Sequence, residues 1–250
     1  MAGHSKFKNI MHRKGAVDAK RARVFSKHAR LIMNAARTGG ADTGTNLSLR
    51  YAIDRARTDN MTNDAIDRAV AKGAGTLESA AMEELTYEGY GPGGVAILID
   101  ALTDNRNRTI SEVRIAMEKN GGSMADSGSV SWNFERKAVF LVKAGADKED
   151  QLMEVALGAE ADELNALDDG FEVLADHTRF ASVKDALEEA GFPPEKSEIA
   201  PLPKTTVAVT PDQAVTLVGL VEALDELDDV QAVATNIEWT DEAVAAAENA

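Results

Sequence analysis

Up to about residue 76 every apolar stripe recurs at helical spacing, whereas beyond it short extended runs alternate with helices. This change of period excludes one continuous core and divides the chain. In the first part, Val24, Phe25, His28, Leu31, Ile32 and Ala35 fall on one side of a helix over residues 17–38. Lys20, Arg21, Arg23, Lys27, Arg30 and Arg37 surround the rest of it. The pair Gly39-Gly40 ends that helix. A second helix, Leu47 to Arg57, carries Leu49, Ala52, Ile53 and Ala56 on one face and starts behind Asn46, a residue suited to capping. A third runs from Thr62 or Asn63 through Ile66, Ala69 and Val70 to Gly73. Three short amphipathic helices can bury their stripes only against one another, so residues 1–76 are expected to form a basic helical domain.

Beyond it, YEGYGPGG at 87–94 reads as a turn-rich approach to a buried strand, Val95 to Asp100. The polar run Thr103–Thr109, a helix from Ile110 to Lys119 and a strand from Val130 to Phe134 follow, the last with Trp132 and Phe134 on one face. Residues 138–200 give strand 138–143, helix 147–158, strands 162–167 and 171–175, helix 180–190 and an extended segment 196–200, which is the ferredoxin-like order. Thr205 to Asn236 supplies a strand, a helix bearing Leu217, Leu220, Val221, Leu224 and Leu227, and a strand from Val230 to Thr235. The two flanking segments are each half a unit. The expectation is therefore an α+β chain: an N-terminal three-helix domain, then two ferredoxin-like α/β domains, one inserted in the other. Residues 77–135 and 205–240 form the first of these, and 136–204 the insertion.

Charge is distributed as unevenly as period. The 250 residues carry a net charge of -15. Residues 1–37, however, hold ten Lys and Arg against the single acid Asp18, and residues 1–78 hold fifteen against seven, a net +8. Residues 79–250 hold twelve against thirty-five, a net -23. A basic arm on an acidic body points to a polyanionic partner; a solvated basic helix without a ligand is the alternative. The absence of cysteine excludes disulfides, thiolate zinc sites and a cysteine nucleophile. No apolar run approaches the roughly 20 residues needed to cross a bilayer, and the basic, acid-poor N-terminus lacks the apolar stretch of a secretory signal. A mitochondrial transit peptide shares that basic composition.

MAGHSK with the following HRK, Asp18-Ala19-Lys20-Arg21, NAARTGG, NMTNDAIDRAVAKG and above all YEGYGPGGVAILIDALTDNRNRT resemble the YebC/PmpR family. So do FEVLADHTRFASVKDALEEAGF and LVEALDELDDVQAVATNIE, which extends the resemblance over nearly the whole chain. It implies three domains, a cytoplasmic protein and a probable DNA-binding transcriptional regulator, with a related mitochondrial translational activator. MAGHSK is where cytoplasmic members begin, which counts against the transit peptide. Phe7 stands where the family commonly has Trp, Met11 where Lys is common, and Thr43 and Thr62 where Pro is usual.

Lys6, Lys8, His12, Arg13, Lys14, Lys20, Arg21, Arg23, Lys27 and Arg30 are spaced to follow a phosphate backbone. Phe7 is either a stacking surface for an unpaired base or an apolar anchor. Arg106 and Arg108 lie in a run whose Asp, Asn and Thr a strand-to-helix turn requires; the arginines themselves are not required, and beside a helix N-terminus they would suit phosphate. GYGPGG lacks the Lys-Ser/Thr of a phosphate loop and precedes a strand, so it reads as a tight turn. His4, His12, His28 and His177 show no metal spacing, and the pairs Asp168-Asp169 and Asp228-Asp229 sit where solvated turn acids are normal. No catalytic residue, metal or cofactor is expected, nor a membrane or small-molecule partner. The expected partner is nucleic acid, either DNA or, for a ribosome-associated translation factor, ribosomal or transfer RNA.

Overall fold

A computed structural model describes residues 17–75, 82–167 and 169–249, with side chains from residue 22 onward. Three helices open it: α1 (Val17–Gly39), α2 (Leu47–Thr58) and α3 (Asn63–Gly73). Asn46 caps α2 by accepting from the Leu49 amide, while its own amide group donates to the carbonyls of Ala35 and Gly40, which ties the start of α2 to the end of α1. His28, Ile32 and Ala36 are the buried ridge of α1, packed over Leu49, Ile53, Ala56, Met61, Ile66 and Ala69. The buried stripe is therefore rotated slightly from the sequence reading. Ala36 is buried while Ala35 packs at the edge of the cluster, and Leu31 lines a cleft. Gly73 lets α3 approach α1: a Cβ there would overlap the Met33 carbonyl oxygen and lie 2.8 Å from the Ala36 Cβ.

Two four-stranded antiparallel sheets follow. The first contains β1 (Glu83–Tyr90), β2 (Ala96–Thr103), β3 (Ser123–Ala125) and β9 (Val230–Thr235), in the spatial order β3-β1-β2-β9. The second contains β4 (Phe134–Val142), β5 (Glu163–Leu167), β6 (Gly170–Asp176) and β7 (Lys196–Pro203), in the order β5-β6-β4-β7. All strands of the second sheet lie in sequence between β3 and β9 of the first. Helix α4 (Arg106–Lys119), α7 (Pro211–Asp225) and α8 (Asp241–Asn249) cover the first sheet around Val113, Met117, Leu217 and Leu220. Helices α5 (Glu149–Gly158) and α6 (Phe180–Glu189) cover the second around Phe140, Leu152, Val183 and Leu187. A two-residue strand β8 (Val207–Ala208) pairs in parallel with β10 (Ile237–Glu238) outside both sheets.

Several elements differ from the sequence reading. Residues 83–90, of which only 87–90 fall in the expected turn-rich approach at 87–94, are a central strand, paired with β2 from Glu83↔Thr103 to Tyr90↔Ala96. Their polar alternation hid a strand whose Glu88 is buried on internal partners. Residues 131–133 are a 3-10 turn, and Phe134 starts β4 of the second sheet; the third strand of the first sheet is the short segment 123–125. Of the two strands expected after Thr205, Val230–Thr235 joins the first sheet as β9, whereas the earlier one is only the two-residue β8 outside both sheets, and α8 had no counterpart among the expected elements. Helix α4 starts four residues earlier than Ile110, which places Arg106 and Arg108 inside its first turn.

Candidate nucleic-acid interface

Lys6, Lys8, His12, Arg13 and Lys14 lie outside the described residues, as do the side chains of Lys20 and Arg21. The remaining expected contacts, Arg23, Lys27, Arg30, Arg106 and Arg108, can be followed in detail. Arg23, Lys27 and Arg30 are spaced about one turn apart on α1, so they share a face. That face lies along the C-terminal end of α7, where carboxylates and unpaired helix carbonyls concentrate negative charge. Arg23 donates to Glu226 at 2.8 Å. Lys27 donates to the Asp225 carboxylate at 2.9 Å and to the Asp225 carbonyl at 2.7 Å. Arg30 donates to the Asp228 carbonyl at 2.9 Å and to the Asp229 carboxylate.

Asp229 is the centre of this arrangement. Its side chain is 1% exposed, and one oxygen also accepts from Arg108 at 2.7 Å, from the Thr109 hydroxyl at 2.7 Å and from the Thr103 hydroxyl at 3.0 Å. Burial pushes this carboxyl up, but the hydrogen bonds from Arg108, Thr109, Arg30 and Thr103 outweigh it and hold it below the usual carboxylate range. Arg108, also bonded to Asp104 at 2.9 Å, is held above the ordinary guanidinium value by the Asp229 and Asp104 hydrogen bonds. The polar run at 103–109 thus builds an internal ion-pair hub: Thr103 and Thr109 line Asp229, and Asn105 caps α4 by accepting from the Arg108 amide. Arg106 points elsewhere; it is 66% exposed, with Glu83 at 3.5 Å. The structure thus brings Arg30 and Arg108 together on one acid and leaves Arg106 apart. In the sequence Asp229 reads only as a turn acid, because its partners lie roughly 120 and 200 residues away along the chain.

Two further polar clusters were missed. His28 is buried on α1, and its Nε2 lies 2.6 Å from an Asp59 oxygen at the C-terminus of α2. Burial raises the Asp59 carboxyl, yet His28, Lys196 and Arg55 together bring it below its ordinary value. Where α1 and α2 meet the second sheet, a cleft of about 430 Å³ is lined by residues that include Leu31, Tyr51, Arg55, Arg136, Phe180 and Glu198. Tyr51 packs against Phe180 with ring centroids 4.6 Å apart and the planes tilted by 60°, and Arg55 pairs with Glu198 at 3.4 Å. Among the described residues, no three His, Asp or Glu side chains are grouped as a metal ion would require. Asp168 of the acidic pair 168–169 lies outside them. The GYGPGG segment forms the tight connection between β1 and β2, with Gly93 at φ 73° and Gly94 at φ 76°. His177 opens the short 3-10 turn that leads into α6. No described helix is long and apolar enough to cross a membrane.

Residues 5–76 match the family model of the TACO1/YebC protein N-terminal domain, and residues 82–237 match that of the TACO1/YebC second and third domain. The chain belongs to the TACO1/YebC family. A Pseudomonas putida protein named probable transcriptional regulatory protein is 50% identical over 243 residues, which cover 97% of this chain and 98% of the other. A Halorhodospira halophila protein of the same name is 50% identical over 244 residues, covering 97% and 98%. The crystal structure of a conserved hypothetical protein from Aquifex aeolicus superposes with a TM-score of 0.81 at 43% identity, covering 89% of this chain and 92% of the other.

Proposed function

We propose that this chain is a non-enzymatic, nucleic-acid-binding regulator of gene expression that grips phosphate through the cations preceding the docked part of α1. One observation carries the reading. Of the ten Lys and Arg in residues 1–37, Arg23, Lys27 and Arg30 are engaged by the acidic end of α7, whereas Lys6, Lys8, Arg13, Lys14, Lys20 and Arg21 all precede that contact. The docked cations hold α1 against the body, and those ahead of them in the sequence supply the charge. Arg30 and Arg108, bound to Asp229, act as docking groups in this reading, and Arg106 contributes an exposed cation. The DNA-binding version agrees with the names of the relatives from Pseudomonas putida and Halorhodospira halophila.

A second reading, a cytoplasmic translation factor bound to ribosomal or transfer RNA, is favoured by α3. This helix follows a tight turn, as a recognition helix would, but its exposed N-terminal half carries Asp64 and Asp67, which would meet the major groove with negative charge. Gel-shift titration over a range of salt tests the shared claim: six neutralised phosphates give a logarithmic salt slope of about -4 to -5. Replacing Arg13, Lys14, Lys20 and Arg21 with alanine should flatten it by about one per lost contact. Unchanged binding would remove these residues from the interface. Sedimentation of lysate through sucrose separates the two readings, since ribosome association that is lost at high salt supports translation and a free pool with a sequence-specific gel shift supports transcription.

A further inference from the structure

Trp132 is the most exposed large apolar side chain among the described residues, at 66%. Nothing about its position is loose. Buried Glu88, on β1, accepts backbone N–H bonds from Gly128 at 2.7 Å, Val130 at 2.6 Å and Ser131 at 3.0 Å, which pins the loop before Trp132 to the first sheet. Burial raises the Glu88 carboxyl, but these N–H donors bring it below its ordinary value, so the anchor is an ionised carboxylate at neutral pH. On the far side, Asn133 is buried and its amide clamps Thr205, accepting from the Thr205 amide at 2.9 Å and donating to the Thr205 carbonyl at 3.0 Å. The turn at 131–133 is therefore fixed at both ends, and an indole costly to expose is held in solvent.

The polar atoms of the surrounding aromatics are consumed internally. The Trp132 Nε1–H donates to the Ser129 carbonyl at 2.9 Å, and the Tyr90 hydroxyl, on a side chain 39% exposed, donates to the same oxygen at 3.2 Å. With those donors used, the indole offers only its π face and Tyr90 its ring and a hydroxyl acceptor, which suits stacking with little hydrogen-bond readout. A lysine lies on the segment paired with this turn: the Lys204 amide donates to the Asn133 carbonyl at 2.7 Å, and the Lys204 side chain is exposed and forms no salt bridge among the described residues.

We infer that the Trp132–Tyr90 surface, with Lys204 on the paired segment, is a stacking site for an unpaired base of single-stranded nucleic acid, Lys204 meeting the adjoining phosphate. The inference rests on the nucleic-acid reading above and adds a contact on the acidic body, separate from the basic arm. A cation on the segment paired with the Trp132 turn favours a phosphate-bearing strand over an uncharged proline-rich peptide.

The chain has two tryptophans, and Trp239 is only 8% exposed, so emission that responds to an added ligand reports mainly on Trp132. Titration of the full chain with oligouridylate and oligoadenylate should quench this emission, more strongly for the purine, whose stacking area is larger. Trp132→Ala should weaken binding by about tenfold with an unchanged salt slope, Trp132→Phe should retain most of the affinity, and Lys204→Ala should flatten the slope by about one. Circular dichroism melting of the exposed-site variants is expected to match that of the parent. Oligonucleotide binding that leaves Trp132 emission and the Trp132→Ala affinity unaltered would overturn the stacking site alone. Quenching by a polyproline peptide but by neither oligonucleotide would assign the surface to peptide. Absence of any oligonucleotide binding by the parent chain would overturn the nucleic-acid reading itself, and this site with it.

Discussion

Asp229 shows at a single residue how this chain trades desolvation against hydrogen bonding. A carboxylate 1% exposed survives because two guanidinium groups and two hydroxyls serve it. Asp229→Asn is expected to cost about 2–3 kcal/mol in urea unfolding, below the loss typical of a fully buried pair because Arg30 and Arg108 keep some access to water. The sign of the pH dependence follows. Asp229, Asp59 and Glu88 all have folded values depressed below those of ordinary carboxylates. In that window the unfolded chain binds more protons than the folded one, so the stabilisation is complete at neutral pH and is lost as pH falls below about 4. Urea midpoints taken between pH 6 and pH 3 should fall, and less steeply in Asp229→Asn. Gly73→Ala tests a different constraint. The added methyl would meet backbone, which cannot swing away, and a loss of about 1–3 kcal/mol is expected from thermal melts.

At the scale of elements, legibility tracked periodicity. Helices α1, α2 and α3 were readable because their stripes and caps are local: Asn46 caps α2 as its residue type suggests, and Gly73 ends α3. The strand–helix order of the second sheet was readable for the same reason, since β4 and β6 carry short apolar runs between turn residues. Strand β1 was not, because Glu83, Glu84, Thr86 and Glu88 look like loop residues until Glu88 is seen to anchor the loop 128–131. Replacing Glu88 with Gln should therefore act on that loop before the sheet. Amide exchange is expected to accelerate at Gly128, Val130 and Ser131 while the β1–β2 amides remain protected; equal acceleration of both would make Glu88 a general core residue instead.

For the whole molecule, the acidic body and the basic arm touch. Arg23 and Lys27 are each occupied by a carboxylate from the end of α7. The Arg23–Glu226 pair is exposed and contributes little stability, and Lys27, 12% exposed, keeps its bond to the Asp225 carbonyl when the carboxylate is neutralised, so the consequence of removing both charges is mainly electrostatic. The double variant Asp225→Asn with Glu226→Gln should barely shift the melting temperature. It should tighten oligonucleotide binding and steepen the salt slope by about 1.5 as two cations become available; an unchanged slope in titrations over several salt concentrations would limit these pairs to docking. The order of amino acids by itself determined the helical first unit, the alternation that follows, and the concentration of cations ahead of acids, because spacing and charge are local quantities. Only the tertiary structure decided which cations are spent on the protein's own carboxylates, that Arg108 serves Asp229, and that Trp132 stands in solvent on a braced turn. Those outcomes depend on which distant segments pack together, and pairing across 100 to 200 residues leaves no periodic trace in the chain.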